Sequence, residues 1–289
     1  MKKVILITGI NGYLGSKLAI RYKDKYHIVG LEYDTVNLSR IEAYDFEVYG
    51  SKNGIQDNIF KNHQFDIIIH TATFYGRSDE SNSEMLYTNT YLPQVLVEKA
   101  AKYGCQTFIN TDTILDRFTS PYALTKKQFR DWLKWYTDQR QLRIINLVLE
   151  HFYGPGTSKT NFITLMVQKM LNNEPEIALT KAEQNRDFLY IDDLLEVYDL
   201  MLQQHDNFKA FEEFNVGAGQ NTNLKYILEF IKTHTASQSK LDYGAIPYRT
   251  NELMESNNDI SKLKKLGWVP KTKVDDGLSQ VINHEKNID

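Results

Sequence analysis

Tyr122-Ala123-Leu124-Thr125-Lys126 sets a phenol and an ammonium four residues apart, which on a helix is one turn along a single face. An ammonium beside a phenol stabilises the phenolate and draws the phenol pKa down from about 10. A Tyr tuned in this way can give or take a proton at a sugar or alcohol oxygen. The spacing alone is weak evidence in a chain with 18 Tyr, because two residues on any surface helix reproduce it.

A second constellation lies at the start of the chain. Thr8-Gly9-Ile10-Asn11-Gly12-Tyr13-Leu14-Gly15 follows a short apolar run, Val4–Ile7, and opens a helical pattern, Gly12–Tyr22. Glycines at such a junction let the backbone turn tightly and approach a pyrophosphate, which rests on the helix N-terminus. A glycine-rich string without context is only a turn. Here a strand precedes it, a helix follows it, and the next strand ends in an acid, Glu32. Glu32 is placed to accept hydrogen bonds from adenosine ribose hydroxyls, and its charge opposes a 2′-phosphate, favouring NAD over NADP. Asp34 reads as a solvated loop charge. A dinucleotide is therefore the expected cofactor, with Gly9, Asn11, Gly12, Tyr13, Leu14, Gly15 and Glu32 as its first contacts. The ammonium of Lys126 can then also hydrogen-bond the nicotinamide ribose.

The elements that must position these groups alternate. Strands are expected at Val4–Ile7, His27–Leu31, Asp66–Ile69, Thr107–Asn110 and Leu142–Leu149, and helices at Gly12–Tyr22, Tyr91–Tyr103 and Tyr122–Gln139. The continuous apolar strands suit a sheet covered on both faces. The pattern predicts an α/β fold: a Rossmann-type, doubly wound parallel sheet. After Gly154-Pro155-Gly156 the rhythm changes. Helices are expected at Phe162–Leu171, Asp192–Gln203 and Asn223–Thr233, strands at Glu176–Leu179 and Asp187–Ile191, and then a loop-rich, polar end. This predicts a dinucleotide-binding domain over 1–154, with one or two later segments returning to it. Residues 155–289 form a smaller substrate lobe packed on the C-terminal edge of the sheet.

Composition bounds the partners. In 289 residues, 34 Lys and Arg against 37 Asp and Glu leave a net charge of −3, which argues against nucleic acid. No apolar stretch is long enough for a transmembrane helix. The apolar run behind Met1-Lys2-Lys3 is too short for a signal peptide. Cys105 is the only cysteine, so no internal disulfide or cysteine-based zinc site is expected, no metal is assigned, and a reducing cytoplasm is the expected compartment.

These residues together resemble an extended short-chain dehydrogenase/reductase of the nucleotide-sugar epimerase/dehydratase group, over nearly the whole chain. The TGxxGxxG turn and the Tyr122/Lys126 pair carry the resemblance. So do His70-Thr71-Ala72-Thr73 at a strand end, Asn89 before Thr90-Tyr91-Leu92-Pro93, and Tyr153-Gly154-Pro155-Gly156. Further matches are Gln184 to Asp193, Arg249 to Glu252, and Asp259 to Pro270. The resemblance implies that His70, Thr71, Ala72, Thr73 and Asn89 line the cofactor. It also implies a strand-end hydroxyl that holds the reacting oxygen. Thr111 is the first choice for it and Thr113 the second; either also suits a turn.

The segments Asn110–Thr113, Leu149–Gly154, Phe74–Arg77, Tyr243–Ile246 and Asn251–Met254 are similar to the CDP-abequose and CDP-paratose synthase subgroup. That similarity implies NADPH-dependent reduction of the C4 ketone of a CDP-4-keto-3,6-dideoxyhexose, in O-antigen sugar synthesis. The 4,6-dehydratases carry Thr-Asp-Glu where this chain has Thr111-Asp112-Thr113, so the eliminating Glu is missing. Other readings are an NAD-dependent 4-epimerase, which keeps its cofactor, and a non-catalytic dinucleotide sensor.

On the substrate side, Arg186 and Arg249 occupy positions where the resembling family holds a nucleotide or pyrophosphate, and a guanidinium suits that task. A domain-bridging ion pair of Arg186 with Asp192 or Asp193 is the competing reading. His151 stands where the family has Asn beside the pyrophosphate, or is a core histidine. Asn161, Phe162, Tyr75 and Arg77 are expected to line the same cleft, with Arg77 otherwise a solvated loop charge. The helix of Tyr122 also carries Phe129, Trp132, Leu133, Trp135 and Tyr136. The resemblance implies a homodimer built on it.

Overall fold

The computed structural model describes residues 2–76, 81–139, 142–249 and 251–288. Two compact units result: Met1–Val148 with Met201–Phe214, and Leu149–Leu200 with Asn215–Asp289.

The first unit begins with β1 (Val4–Thr8), α1 (Tyr13–Tyr22), β2 (His27–Glu32), β3 (Glu47–Gly50), α2 (Asp57–Asn62) and β4 (Ile67–His70). It continues through α3 (Asn82–Leu86), a π-helical turn Tyr87–Tyr91, α4 (Leu92–Lys102), β5 (Thr107–Thr113), α5 (Pro121–Gln139) and β6 (Arg143–Leu149). Ile5, Leu6 and Ile7 of β1 and Ile67, Ile68 and Ile69 of β4 are fully buried, as runs apolar on both faces must be.

The second unit holds β7 (His151–Tyr153), α6 (Phe162–Leu171), β8 (Glu176–Leu179) and β9 (Asn185–Tyr190). The chain then passes through α7 (Ile191–Gln204) and β10 (Phe211–Val216). It ends with β11 (Asn221–Asn223), α8 (Leu224–Thr235), β12 (Lys240–Tyr243), α9 (Ser261–Lys265) and α10 (Val274–Lys286).

Seven strands form one sheet in the order β10-β6-β5-β4-β1-β2-β3. The described registers β1–β2, β1–β4, β2–β3 and β4–β5 are all parallel. This is the Rossmann-type arrangement. The direction of strand addition reverses between β1 and β4, where Thr8 lies opposite His70. Within the second unit, β9 stands between β7 and β11, β12 pairs in parallel with β8, and α6, α8 and α10 pack on one another.

The structure corrects two expectations. Asp66–Ile69 was expected as the third strand; the strand there, Ile67–His70, is the fourth, because Glu47–Gly50 also pairs with β2. That strand is short, half-exposed and at the sheet edge, so it carries no apolar run to read. The polar C-terminus is not loop-rich throughout, since Val274–Lys286 is a helix. Its apolar signal is slight, Val274 and the buried Leu278, Val281 and Ile282, and Asp275 and Asp276 favour its N-terminus. Gly277 is required there: a Cβ would come within 2.9 Å of the Tyr190 ring. Among the described residues, no helix is long and apolar enough to cross a membrane.

Candidate active site

In open α/β sheets, ligands bind beyond the C-terminal strand ends where the order reverses. At that point Thr8 stitches β1 to the segment after β4. Its hydroxyl lies 2.7 Å from His70 Nδ1 and accepts the Ala72 N–H at 3.3 Å. Its carbonyl accepts the Thr71 hydroxyl at 2.7 Å. Burial, and then the Lys126 charge, hold the His70 imidazole well below its ordinary pKa, so it is neutral.

The turn after Thr8 is built by its glycines. Gly9 has φ +67°, and a Cβ there would lie 2.8 Å from the Ala72 Cα. The Gly9 N–H donates to Leu31 O at 2.7 Å and the Gly12 N–H to Gly9 O at 2.9 Å. A Cβ on Gly15 would overlap the Gly9 carbonyl. Gly12 opens α1 with no side-chain cap and no acid in the first turn, so the helix presents its N–H groups to an anion. Leu14 is buried behind the turn. The Tyr13 ring carries the Lys17 ammonium at 5.2 Å and the Arg40 guanidinium at 5.6 Å from its centroid.

Glu32, at the end of β2, braces this turn through Asn11. Glu32 Oε2 accepts the Asn11 N–H and Oε1 accepts the Tyr33 N–H, both at 3.0 Å. Asn11 Oδ1 accepts the Arg40 N–H at 2.9 Å, and its Nδ2 donates to Asn37 O at 3.1 Å.

Behind the segment after β4, Asn89 is fully buried in the π-helical turn. Its Oδ1 accepts the Phe74 N–H at 2.8 Å. Its Nδ2 donates to Phe74 O at 2.8 Å and to Thr125 Oγ1 at 3.1 Å. Thr90 adds a 2.9 Å bond to Thr125 O. Asn89 therefore clamps the strand-end segment, Thr73 included, to the helix of Tyr122 and Lys126. Asn89 is a cofactor contact on the sequence reading; both of its N–H donors are used within the protein.

On α5, Lys126 is 1% exposed and its Nζ has no hydrogen-bond partner among the described residues. Burial lowers its pKa to about 8, Asp112 opposes that shift and Lys127 adds to it. A buried ammonium without partners is costly, and the fold carries one here beside the glycine turn's own strand-end neighbour, His70. An unpartnered buried donor, a glycine cradle and an uncapped helix N-terminus fit a dinucleotide, with ribose oxygens for the ammonium and phosphates for the N–H groups. Tyr122 is half-buried, and its ring packs on Tyr75 at 5.0 Å. Arg77 lies outside the described residues.

Thr111 and Thr113 both lie in β5 and are buried. Thr113 Oγ1 accepts the Leu115 N–H at 3.3 Å, and its carbonyl accepts Lys127 Nζ. Between them Asp112 points into a buried polar net. Asn146 Nδ2 donates to Asp112 at 3.1 Å and to Glu213 at 2.9 Å, and Asn110 Nδ2 donates to Asn146 Oδ1 at 2.7 Å. Arg130 pairs with Glu213, and Lys127 lies 3.7 Å from Asp112. Sequence reading missed this net, because its members come from four separated elements.

The second unit places the remaining candidates. Arg186 is buried in β9; its Nη2 donates to Glu252 Oε1 at 2.6 Å and its Nη1 to Asn185 O at 3.2 Å. The ion pair of the competing reading is made with Glu252 rather than with Asp192 or Asp193. Asp193 instead accepts the Lys271 and Thr272 N–H groups, both at 3.0 Å. Arg249 is exposed, and its carbonyl accepts the Glu252 N–H at 3.1 Å, so both guanidinium-bearing residues meet at Glu252. His151 is exposed rather than a core residue, with Nδ1 3.5 Å from the buried Glu150 carboxylate. Asn161 caps α6 through Oδ1, accepting the Ile163 N–H at 3.2 Å, and the neighbouring Phe162 ring is exposed.

Comparison with known proteins bears on this geometry. The profile of the NAD dependent epimerase/dehydratase family matches residues 5–217. The chain belongs to that family. The match runs from β1 through β10 and so spans the glycine turn, the Tyr122/Lys126 helix and Arg186. Among family relatives, a CDP-abequose synthase of Salmonella muenchen is 31% identical, covering 98% of each chain. A CDP-abequose synthase of Salmonella typhimurium is 26% identical, again over 98% of each. A UDP-glucuronic acid 4-epimerase from Bacillus cereus, solved with UDP-glucuronic acid and NAD, has the same fold: TM-score 0.88 at 21% identity, covering 99% of this chain and 100% of that one. The protein is thus an NAD-dependent family enzyme of the nucleotide-sugar reductase, epimerase and dehydratase kind.

Proposed function

We propose that this enzyme is a nucleotide-sugar 4-ketoreductase acting on a CDP-4-keto-3,6-dideoxyhexose. The observation that carries the reading is the buried, unpartnered Lys126 ammonium one helical turn from Tyr122. Full-length similarity to two CDP-abequose synthases supports the substrate class. The reduced nicotinamide, when bound, supplies the hydride for C4. Tyr122 donates its proton to the O4 that develops negative charge there. Lys126 keeps Tyr122 acidic and anchors the nicotinamide ribose. Thr111 is the first candidate for the hydroxyl at O4 and Thr113 the second; both are buried in β5. Asp112 is held by Asn146 inside the unit and is no general acid, and Thr113 stands where a dehydratase needs a Glu.

Glu32 accepts the Asn11 N–H of the glycine turn and the Tyr33 N–H, and its charge at that place favours NADH over NADPH on this reading. Arg186 and Arg249 serve the diphosphate, with Glu252 holding Arg186 in place. His151, Asn161, Phe162, Tyr75 and Arg77 complete the substrate contacts on this reading. The enzyme works as a homodimer through α5, whose Trp132 and Trp135 are 41% and 51% exposed in the single chain.

The deciding assay follows reduced-nicotinamide absorbance with enzymatically made CDP-4-keto-3,6-dideoxyglucose, NADH and NADPH in parallel. Stoichiometric loss of absorbance is expected, faster with NADH. No loss with either cofactor overturns the ketoreductase reading and points to an epimerase that retains its cofactor.

A further inference from the structure

His27 opens β2, Glu47 opens β3, and His63 follows α2 directly. Val29 is the register partner of Glu47, so His27, Glu47 and Tyr49 share one face of the sheet. One ligating atom from each of His27, Glu47 and His63 lies within 4.8 Å of the other two. His63 Nε2 is 3.2 Å from Glu47 Oε1. The Tyr49 hydroxyl donates to the same oxygen at 2.5 Å and lies 3.1 Å from His63 Nε2. Two ligands of one tetrahedral zinc, each at about 2.0–2.1 Å, stand about 3.3 Å apart. Glu47 and His63 already have that separation.

We propose that His27, Glu47 and His63 form a binding site for a divalent transition-metal ion of the Zn²⁺ type, completed by water. Two imidazole nitrogens and one carboxylate oxygen suit Zn²⁺, Co²⁺ or Ni²⁺, whereas Ca²⁺ and Mg²⁺ need an all-oxygen set. The ring of His63 is held by its neighbours, with Phe65 at 5.6 Å, Tyr49 at 5.9 Å and His27 at 6.0 Å between centroids. Tyr49 orients the Glu47 carboxylate, the outer-shell support that metal ligands generally have.

The site is structural rather than catalytic. It stands at the N-terminal ends of the strands, while Glu32 and the glycine turn stand at the other end of β2. Five steps of strand, about 17 Å at 3.3 Å per residue, separate the two ends. An ion here joins β2, the edge strand β3 and the end of α2. β3 is four residues long and lies last in the sheet, so little else holds it.

The test uses tag-free, chelator-stripped full-length protein titrated with Zn²⁺ by calorimetry and with Co²⁺ by visible absorption. Mg²⁺ serves as the control. One equivalent of Zn²⁺, ligand-field bands of four-coordinate Co²⁺ and a raised melting temperature are expected. His27→Ala and the near-isosteric Glu47→Gln should each weaken binding at least tenfold, with circular dichroism confirming that both remain folded. Absence of saturable Zn²⁺ binding, or unchanged affinity in the folded Glu47→Gln variant, overturns the proposal.

Discussion

Lys126 holds a charge that its surroundings oppose, and two measurements follow. Its folded pKa lies below the unfolded value, so the unfolded chain binds that proton more tightly between pH 8 and 10.5. The penalty is complete below about pH 8 and fades as pH rises toward 10.5. The drop from 10.5 to about 8 corresponds to about 3 kcal/mol. Lys126→Met should therefore raise the melting temperature of the cofactor-free protein by several degrees at pH 7, with the gap closing near pH 10, while turnover is lost. A lower melting temperature at pH 7 would contradict this. Tyr122→Phe removes the phenol hydroxyl and with it the transferable proton. It should reduce kcat by about 10²–10⁴-fold and leave cofactor affinity intact, read by nucleotide fluorescence. The one-turn spacing of Tyr122 and Lys126 and the glycine turn between a strand and a helix were legible in the sequence because each is a pattern within a few consecutive residues. The pairing of Arg186 with Glu252, and the net around Asp112, join residues from distant segments, and no local spacing announces them.

At the scale of elements, the strand-end segment after β4 depends on one amide. Asn89→Ala would strip the Phe74 N–H and C=O of their partners, at about 1–3 kcal/mol for each group left unsatisfied. The expected result is a lower melting temperature, together with weaker cofactor binding as the segment loosens from α5. Gly9→Ala combines a left-handed backbone with a 2.8 Å contact to Ala72. It should abolish cofactor binding and cost at least about 1–2 kcal/mol in stability by denaturant titration. Strands that run apolar on both faces, such as β1 and β4, declare themselves. So does α6, which matches its expected span of Phe162–Leu171. β3 and α10 escaped for different reasons: one is a half-exposed edge, and the other mixes its few apolar residues with eight polar ones and a glycine. Gly277 weakened the helical signal of α10 for a reason visible only in three dimensions, the closeness of the Tyr190 ring.

For the whole molecule, the exposed Trp132 and Trp135 predict self-association. Sedimentation should give a dimer, and Trp135→Lys should shift it toward monomer without unfolding it, since that side chain is half-exposed in the single chain. A monomeric parent protein would remove the dimer from the reading. The division of the chain has a consequence of another kind. The first unit closes its sheet with β10, yet the chain builds most of the second unit's first half before returning. β6, whose Ile144, Ile145 and Leu147 end fully buried, emerges about sixty residues ahead of its edge partner. At about 5–20 residues per second on the ribosome, that leaves an apolar strand edge unpaired for several seconds during synthesis. Nascent chains stalled before Phe211 should therefore be the species most dependent on chaperones, and those stalled beyond Val216 should be released from that need.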